Sequence, residues 1–438
     1  MLLYHLRIAA KSLRRNPFLS ALLIFAIALG ICIATSFTTL RHVLSKDPLP
    51  RGRSGQLYYV RMDNWDPKRP YLAGDEKSLP TQITYRDARV LLESKIPVRQ
   101  TATYVTSLFA FPDPKVSRPY PATIRMGFSD FFPMFSVPFQ YGSGWDHAAD
   151  AKPEPVIVIS HDTNEKIFGG RNSVGQSLRL GDRVFRIVGV LAPWRPAVKM
   201  YDMTGGALGA PEDIFMPFNF TPLMKLRTNG NSDGWKGGFN TYEEFLQVAE
   251  QCWLQYWVEL PDAKSAGAYK QYLDSYVMDQ KRHGRFERPL HTEVTPLMQL
   301  MTDFNVVPPQ IKGMAVVSVL FLLVCSLNLV GVILGKFLGR ASEVSVRRAL
   351  GATKADVFLQ HIMECELLGL IGGPIGIVLS YFILAATQKF LPGNMPIQFD
   401  AEMILTAVAL SLGAGLVAGL YPAWRICSIA PAMQLKIQ

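Results

Sequence analysis

Residues 18–40 read FLSALLIFAIALGICIATSFTTL, flanked by Arg14 and Arg15 on one side and Arg41 on the other, with no charge between. At about 1.5 Å rise per residue a helix of this length spans roughly 34 Å, enough to cross a hydrocarbon core of about 30 Å. Backbone groups in lipid find no water, so the run must satisfy its own hydrogen bonds as a helix. Three more uncharged apolar runs follow: 313–335 between Lys312 and Lys336, 367–388 between Glu366 and Lys389, and 403–424 from Met403 to Trp424. A cleaved signal peptide would have an apolar core of only about 7–15 residues, so 18–40 reads as the first of four spans.

Charge orients these spans. The short segments 1–17, 336–366 and 425–438 hold eleven Lys and Arg against four acids, about +7 of the formal +10. Basic flanks mark the cytoplasmic side, so both ends of the chain are expected inside. The positive charge therefore reads as topology and contact with anionic membrane lipid, and a nucleic-acid partner is not expected. Residues 1–17 suggest an amphipathic surface helix, with Leu2, Leu6, Ala9 and Leu13 on one face. Residues 389–402 form a short external loop. Of the five cysteines only Cys252 falls in the long segment 41–312, so no internal disulfide staples that region.

Residues 41–312 are long enough for a sizeable core of their own. Strands are expected at Leu57 to Met62, Ala102 to Phe111, Tyr120 to Phe128 and Pro155 to Ser160, which are β-branched or aromatic runs ended by turn residues. Thr84 should cap a helix reaching Glu93, and Asp162 another reaching Phe168. Gln176 to Leu180 and Val184 to Leu191 flank Gly181-Asp182, a hairpin signal. From Ala192 to Gly238 the composition shifts to Pro, Gly, Trp and Met, which reads as an inserted subdomain over about 192–250 or a long excursion. Tyr242 to Cys252 looks helical, Trp253 to Leu260 alternates like a strand, and Ala263 to Arg282 reads as a long helix. The fold class is thus a membrane protein of four transmembrane α-helices with a large α+β domain between the first and second.

After the second span comes Arg340-Ala341-Ser342-Glu343-Val344-Ser345-Val346-Arg347-Arg348-Ala349-Leu350-Gly351-Ala352-Thr353-Lys354. Charged Glu343, Arg347, Arg348 and Lys354 alternate with apolar Val344, Val346, Leu350 and Val357, a pattern for a short helix along the membrane offering a polar face to a cytosolic protein. This run resembles the segment that MacB and FtsX permeases of ABC transporters carry at that place. The likeness continues through Asp356, Gln360 and Glu364 into Gly372-Gly373-Pro374, and ends in Tyr421-Pro422-Ala423-Trp424-Arg425 with Pro431-Ala432. Gly127-Phe128-Ser129-Asp130-Phe131-Phe132, the Val156 to Gly169 block and Phe185 to Leu191 resemble the MacB-type periplasmic core.

The resemblance implies a bacterial inner-membrane permease whose coupling helix docks into a nucleotide-binding subunit. Arg340, Glu343, Arg347, Arg348, Leu350, Gly351, Ala352, Thr353 and Lys354 would form that contact. MacB itself carries an N-terminal nucleotide-binding domain, whereas here the first span begins almost at once. No Gly-x-x-x-x-Gly-Lys-Ser/Thr is present to cradle phosphates, so ATP and Mg are expected to be used by a separate ATPase subunit, with no cofactor bound by this chain. The seven histidines show no metal-ligand spacing, and no Gly-x-Ser-x-Gly elbow or Ser/His/Asp grouping points to catalysis.

Glycines four residues apart recur at Gly331 and Gly335, Gly372 and Gly376, and Gly415 and Gly419. Such pairs let helices approach closely, within one subunit or across the seam of a homo- or heterodimer. Asn328 is expected to make an interhelical hydrogen bond. The function implied is export or efflux by mechanotransmission, with a periplasmic adaptor and a TolC-like outer-membrane channel as further partners. The alternatives are lipoprotein extraction of the LolC and LolE kind and FtsX-like signalling to a cell-wall hydrolase.

Overall fold

The computed structural model describes residue 9 and residues 11–112, 119–388 and 400–428. Most of the expected surface helix at 1–17, the 389–402 loop and the end of the tail lie outside the described residues, although 11–15 is helical. The chain divides into two compact units, one holding the four long helices and the other comprising Asp47–Val306.

In the membrane unit the long helices run Pro17–Ser45 (span 1), Pro309–Leu338 (span 2), Lys354–Gln388 (span 3) and Ala401–Cys427 (span 4). Each extends past its uncharged run because charged ends still favour helix once they reach water and headgroups. Spans 1 and 3, 3 and 4, 4 and 2, and 2 and 1 pack as neighbours. Between them lies a core that includes Leu23, Ile27, Ile31, Leu322, Leu329, Ile333, Leu368, Ala414 and Ala418. Outward-facing Phe18, Val317, Phe382 and Leu405 are mostly exposed, as lipid-facing residues should be.

The glycine pairs divide by role. A Cβ on Gly376 would sit 2.7 Å from Ala28 O, and one on Gly372 3.2 Å from Ile24 O, so this pair seats span 1 against span 3. A Cβ on Gly419 would meet Cys365 Cβ at 2.6 Å and one on Gly415 would meet Cys365 O at 3.3 Å, seating span 4 on span 3. Gly331 and Gly335 have nothing within 4 Å. Asn328 is exposed on span 2 and makes no interhelical hydrogen bond within the chain among the described residues. Serine hydroxyls bind the helices instead: Ser36 and Ser380 lie 2.9 Å apart, and Ser411 donates to Gly369 O at 2.7 Å. Small residues bring the backbones close enough for a short hydroxyl to reach across.

The external unit is built on a mixed sheet. Its strands are β1 (Leu57–Met62), β2 (Ile83–Thr84), β3 (Arg99–Phe111), β4 (Tyr120–Gly127), β5 (Phe139–Gly142), β6 (Val156–Ile159), β7 (Ser177–Leu180), β8 (Arg183–Leu191), β9 (Ile214–Pro217), β10 (Asp233–Gly234), β11 (Gln251–Glu259) and β12 (Thr292–Pro296). The main order is β12-β1-β11-β3-β4-β9-β6-β8-β5, with β2 and β10 on β11 and with β7 bridging β3 and β8. β1, which follows span 1, pairs along its length with β12, which precedes span 2. Aromatic rings fill the core: Tyr104 meets Trp253 edge-on at 4.6 Å, and Phe218 stacks on Tyr85 at 5.8 Å.

Local chemistry explains most boundaries. Gly181 takes φ +59° between β7 and β8, where a side chain would be strained, and Leu180 pairs with Arg183 across the two-residue turn. Thr84 caps helix Tyr85–Leu91 by accepting from Asp87 N, and Ala263–Arg282 is helical as its pattern indicates. Two expectations are corrected. Helix His161–Phe168 is capped by Ser160, whose extended backbone lets its hydroxyl accept from Thr163 N, and not by Asp162. Helix Tyr242–Gln247 ends before Cys252, because Gln251 and Cys252 are drawn into β11 by pairing with β10 and β2.

Segment 192–250 is an excursion of the main sheet and not a separate subdomain. β9 enters the sheet between β4 and β6, and Phe218, Phe220, Leu226, Phe245 and Leu246 belong to the main core. Its Pro and Gly residues shape loops, while its aromatic residues anchor them.

Candidate functional site

The run after span 2 folds into helix Ala341–Ala349, which we call the connecting helix. Gly351 has φ +103°, a conformation a β-carbon would strain. Gly351 N donates to Arg348 O at 3.2 Å and Ala352 N to Arg347 O at 3.1 Å, closing the helix C-terminus in a Schellman motif. Two residues later Thr353 and Asp356 cap the next helix reciprocally. Asp356 N donates to Thr353 Oγ1 and Thr353 N donates to an Asp356 carboxylate oxygen, both at 3.1 Å. Ala-Leu-Gly-Ala-Thr is therefore a helix stop joined to a helix start.

The turn presents its apolar residue to solvent. Leu350 is 83% exposed and Val346, one turn earlier on the same face, is 47% exposed. Val344 and Val357 are buried instead, so the apolar set splits between an inner and an outer face. Glu343 and Arg347 pair at 2.8 Å on the helix surface, with Arg15 at 3.5 Å from Glu343. Thr353 and Lys354 are exposed and Ala352 is half-buried. Arg348 turns inward and donates to Cys427 O at 3.3 Å, at the end of span 4. Arg340 also turns inward. It lies beside a cavity of about 720 Å³ lined by Ser12, Glu343, Arg347, His361 and Glu364 among others.

Three residues outside the expected set complete the arrangement. Glu364, on the helix of span 3, pairs with Lys336 at 2.6 Å and Arg340 at 3.7 Å, and accepts from the Ser12 hydroxyl. Lys336 and Glu364 are both buried, so the pair replaces water as partner for each charge. In the sequence each of these three reads as an ordinary membrane flank, and only their convergence in space sets them apart. No group of three or more His, Cys, Asp or Glu side chains is arranged to hold a metal ion among the described residues.

Residues 20–276 match the MacB-like periplasmic core domain, and residues 315–431 match the FtsX-like permease C-terminal domain. The chain belongs to the MacB-like, FtsX-like family of ABC transporter permeases. It is accordingly a multi-pass inner-membrane protein with a periplasmic domain between spans 1 and 2, and the connecting helix is cytoplasmic.

Similar proteins include the pyoverdine export ATP-binding/permease protein PvdT of Pseudomonas entomophila, 24% identical over 311 residues, which are 70% of this chain and 42% of that protein. The macrolide export ATP-binding/permease protein MacB of Acinetobacter baylyi is 23% identical over 316 residues, 72% of this chain and 42% of its own length. The chain thus spans less than half the length of these relatives. The crystal structure of the periplasmic region of MacB from Actinobacillus actinomycetemcomitans aligns with 59% of this chain and 97% of its own, at 14% identity and a TM-score of 0.37. The matched regions take in the periplasmic sheet apart from β12, and the connecting helix with its cap.

Proposed function

We propose that this permease drives export by mechanotransmission. A separate cytosolic ABC ATPase, using ATP and Mg, grips the connecting helix, and its closure moves the spans and reshapes the periplasmic domain. The observation that carries this reading is the solvent-facing pair Val346 and Leu350, beside Arg347, Glu343 and Lys354, on a turn capped on both sides. A monomer gains nothing by exposing a leucine at a rigid tip, whereas a partner groove would bury it. The spans carry few polar residues, which favours transmission of movement over a wide aqueous path. The open faces of Gly331 and Gly335 suit a second permease subunit, alike or different, since the other four glycines are used within the chain. Substrate would then be handled in the periplasm and passed to an adaptor and a TolC-like outer-membrane channel.

The test uses Leu350→Asp and Arg347→Glu. Each should keep the abundance and membrane insertion of the chain, while recovery of its ATPase from detergent-solubilised membranes falls at least tenfold. Undiminished recovery of the ATPase with both variants would overturn the reading.

A further inference from the structure

Two contacts of the connecting helix with the helix of span 3 form a matched pair of struts. Arg340, at its N-cap position, reaches Glu364 at 3.7 Å. Arg347, seven residues on and two turns further along the same face, donates to Gln360 Oε1 at 3.1 Å. Gln360 and Glu364 lie four residues apart, on one face of the span 3 helix. The two helices are therefore pinned at two points, as a lever is, and not hinged at one.

The strut at Glu364 does more than the one at Gln360. Its carboxylate, 3% exposed, also pairs with Lys336 from the end of span 2 and accepts from Ser12 in the helical turn before span 1. Arg340 donates both to the Ser12 hydroxyl and, at 3.4 Å, to Ser12 O. One buried carboxylate thus joins the approach to span 1, the end of span 2, the start of the connecting helix and the helix of span 3. Lys336 and Glu364 are both buried, so separating that pair leaves each charge without an equivalent partner. The joint therefore resists separation of the segments it ties, which is the property a transmitting element needs.

We propose that Glu364 is the positioning residue through which movement of the connecting helix reaches the spans. This inference rests on the coupling reading above and assigns it a joint. Neither Glu364 nor Lys336 faces the exposed Val346 and Leu350 tip, so the joint transmits and does not dock.

The test uses the full chain in lipid nanodiscs, with Glu364→Gln, the conservative Glu364→Asp and Arg340→Gln. Amide hydrogen exchange of 341–350 and 11–15 should rise at least tenfold in Glu364→Gln, with periplasmic peptides unchanged. Glu364→Asp, which keeps a charge for Lys336 and Arg340, should hold both segments within about threefold of the wild type, a retention that a merely space-filling role, better served by the isosteric glutamine, would not produce. With the ATPase bound, ATP and vanadate should alter exchange in the periplasmic domain of the wild type and leave it unaltered in Glu364→Gln, although ATPase recovery persists.

Wild-type protection of 341–350 in Glu364→Gln would overturn the proposal, as would loss of ATPase recovery in that variant. If Glu364→Gln does not insert, Arg340→Gln decides: exchange of 341–350 raised at least tenfold supports the joint, and wild-type protection there overturns it. Should Leu350→Asp and Arg347→Glu retain the ATPase, the coupling reading falls, while the exchange result in the ATPase-free chain still reports whether the joint exists.

Discussion

Replacing Arg125 by methionine removes one cation from the most deeply buried ionic cluster of the periplasmic domain. Arg125, on β4, is 1% exposed and pairs with Asp202 and Glu212; Lys199 reaches Glu212 at 3.1 Å and Asp202 at 3.6 Å. Gln255 of β11 donates to Asp202 at 2.7 Å, so the cluster ties the 192–213 loop to the sheet. Burial alone would raise the Asp202 carboxyl, but Arg125 and then Lys199 outweigh it and hold it at about 2. Glu212 is lowered for the same reasons. With Arg125 present two cations face two carboxylates; in Arg125→Met a single lysine faces both, leaving one buried charge uncompensated. Breaking such a pair costs about 3–5 kcal/mol. For a domain of this size that corresponds to a fall in Tm of roughly 6–20 °C.

The pH dependence gives a second and opposite signature. In the wild type the folded Asp202 pKa lies below its unfolded value of about 3.9. Its contribution is therefore full above that value and lost as pH falls through about 2. In Arg125→Met the uncompensated carboxyl must take up a proton, so its folded pKa rises above the unfolded value and stability should increase as pH falls from 7 towards 5. Differential scanning calorimetry on the Asp47–Val306 unit, which has its own core, measures both effects. A Tm loss under about 2 °C, or an unchanged pH slope, would refute this account of the cluster.

Glycine seams should respond unequally: Gly376→Leu would force its side chain onto Ala28 O, where overpacking costs about 1–3 kcal/mol, and thermal scans of the detergent-solubilised chain should show it less stable. Gly335→Leu should leave the stability of the single chain within about 0.5 kcal/mol while reducing cross-linked dimer on gels, if that face meets a second subunit. Gly351→Val places a β-branched residue at φ +103°, a strain of about 1–3 kcal/mol, and should raise amide exchange at 347–352 several-fold without touching the periplasmic peptides. Thr353→Ala removes a helix cap worth about 0.5–2 kcal/mol and should raise exchange in the first turn after Lys354 while leaving the span 3 interior protected.

The four spans were legible from residues alone, because lipid imposes one requirement on every backbone group and an uncharged run of sufficient length meets it in one way. The hairpin at Gly181 and the cap at Thr84 were legible for a related reason: their hydrogen bonds are local, so neighbouring residues suffice to specify them. Ala-Leu-Gly-Ala-Thr was visible as a motif, and its meaning as a stop followed by a start needed only the left-handed glycine and the threonine three residues before an aspartate.

What sequence could not decide depends on partners distant along the chain. Cys252 left its expected helix because β10 and β2 offered strand pairing from elsewhere, and 192–250 looked like an insertion because its link to the sheet runs through β9 and Arg125. Ser411, which carried no signal in the sequence, makes an interhelical hydrogen bond because the distance between two helices is set by small residues on both. Glu364 is the extreme case. A lone glutamate at a span boundary is unremarked in a linear reading, and only folding brings Ser12, Lys336 and Arg340 around it. The burial that makes it consequential is a property of the packed helices and of no single segment.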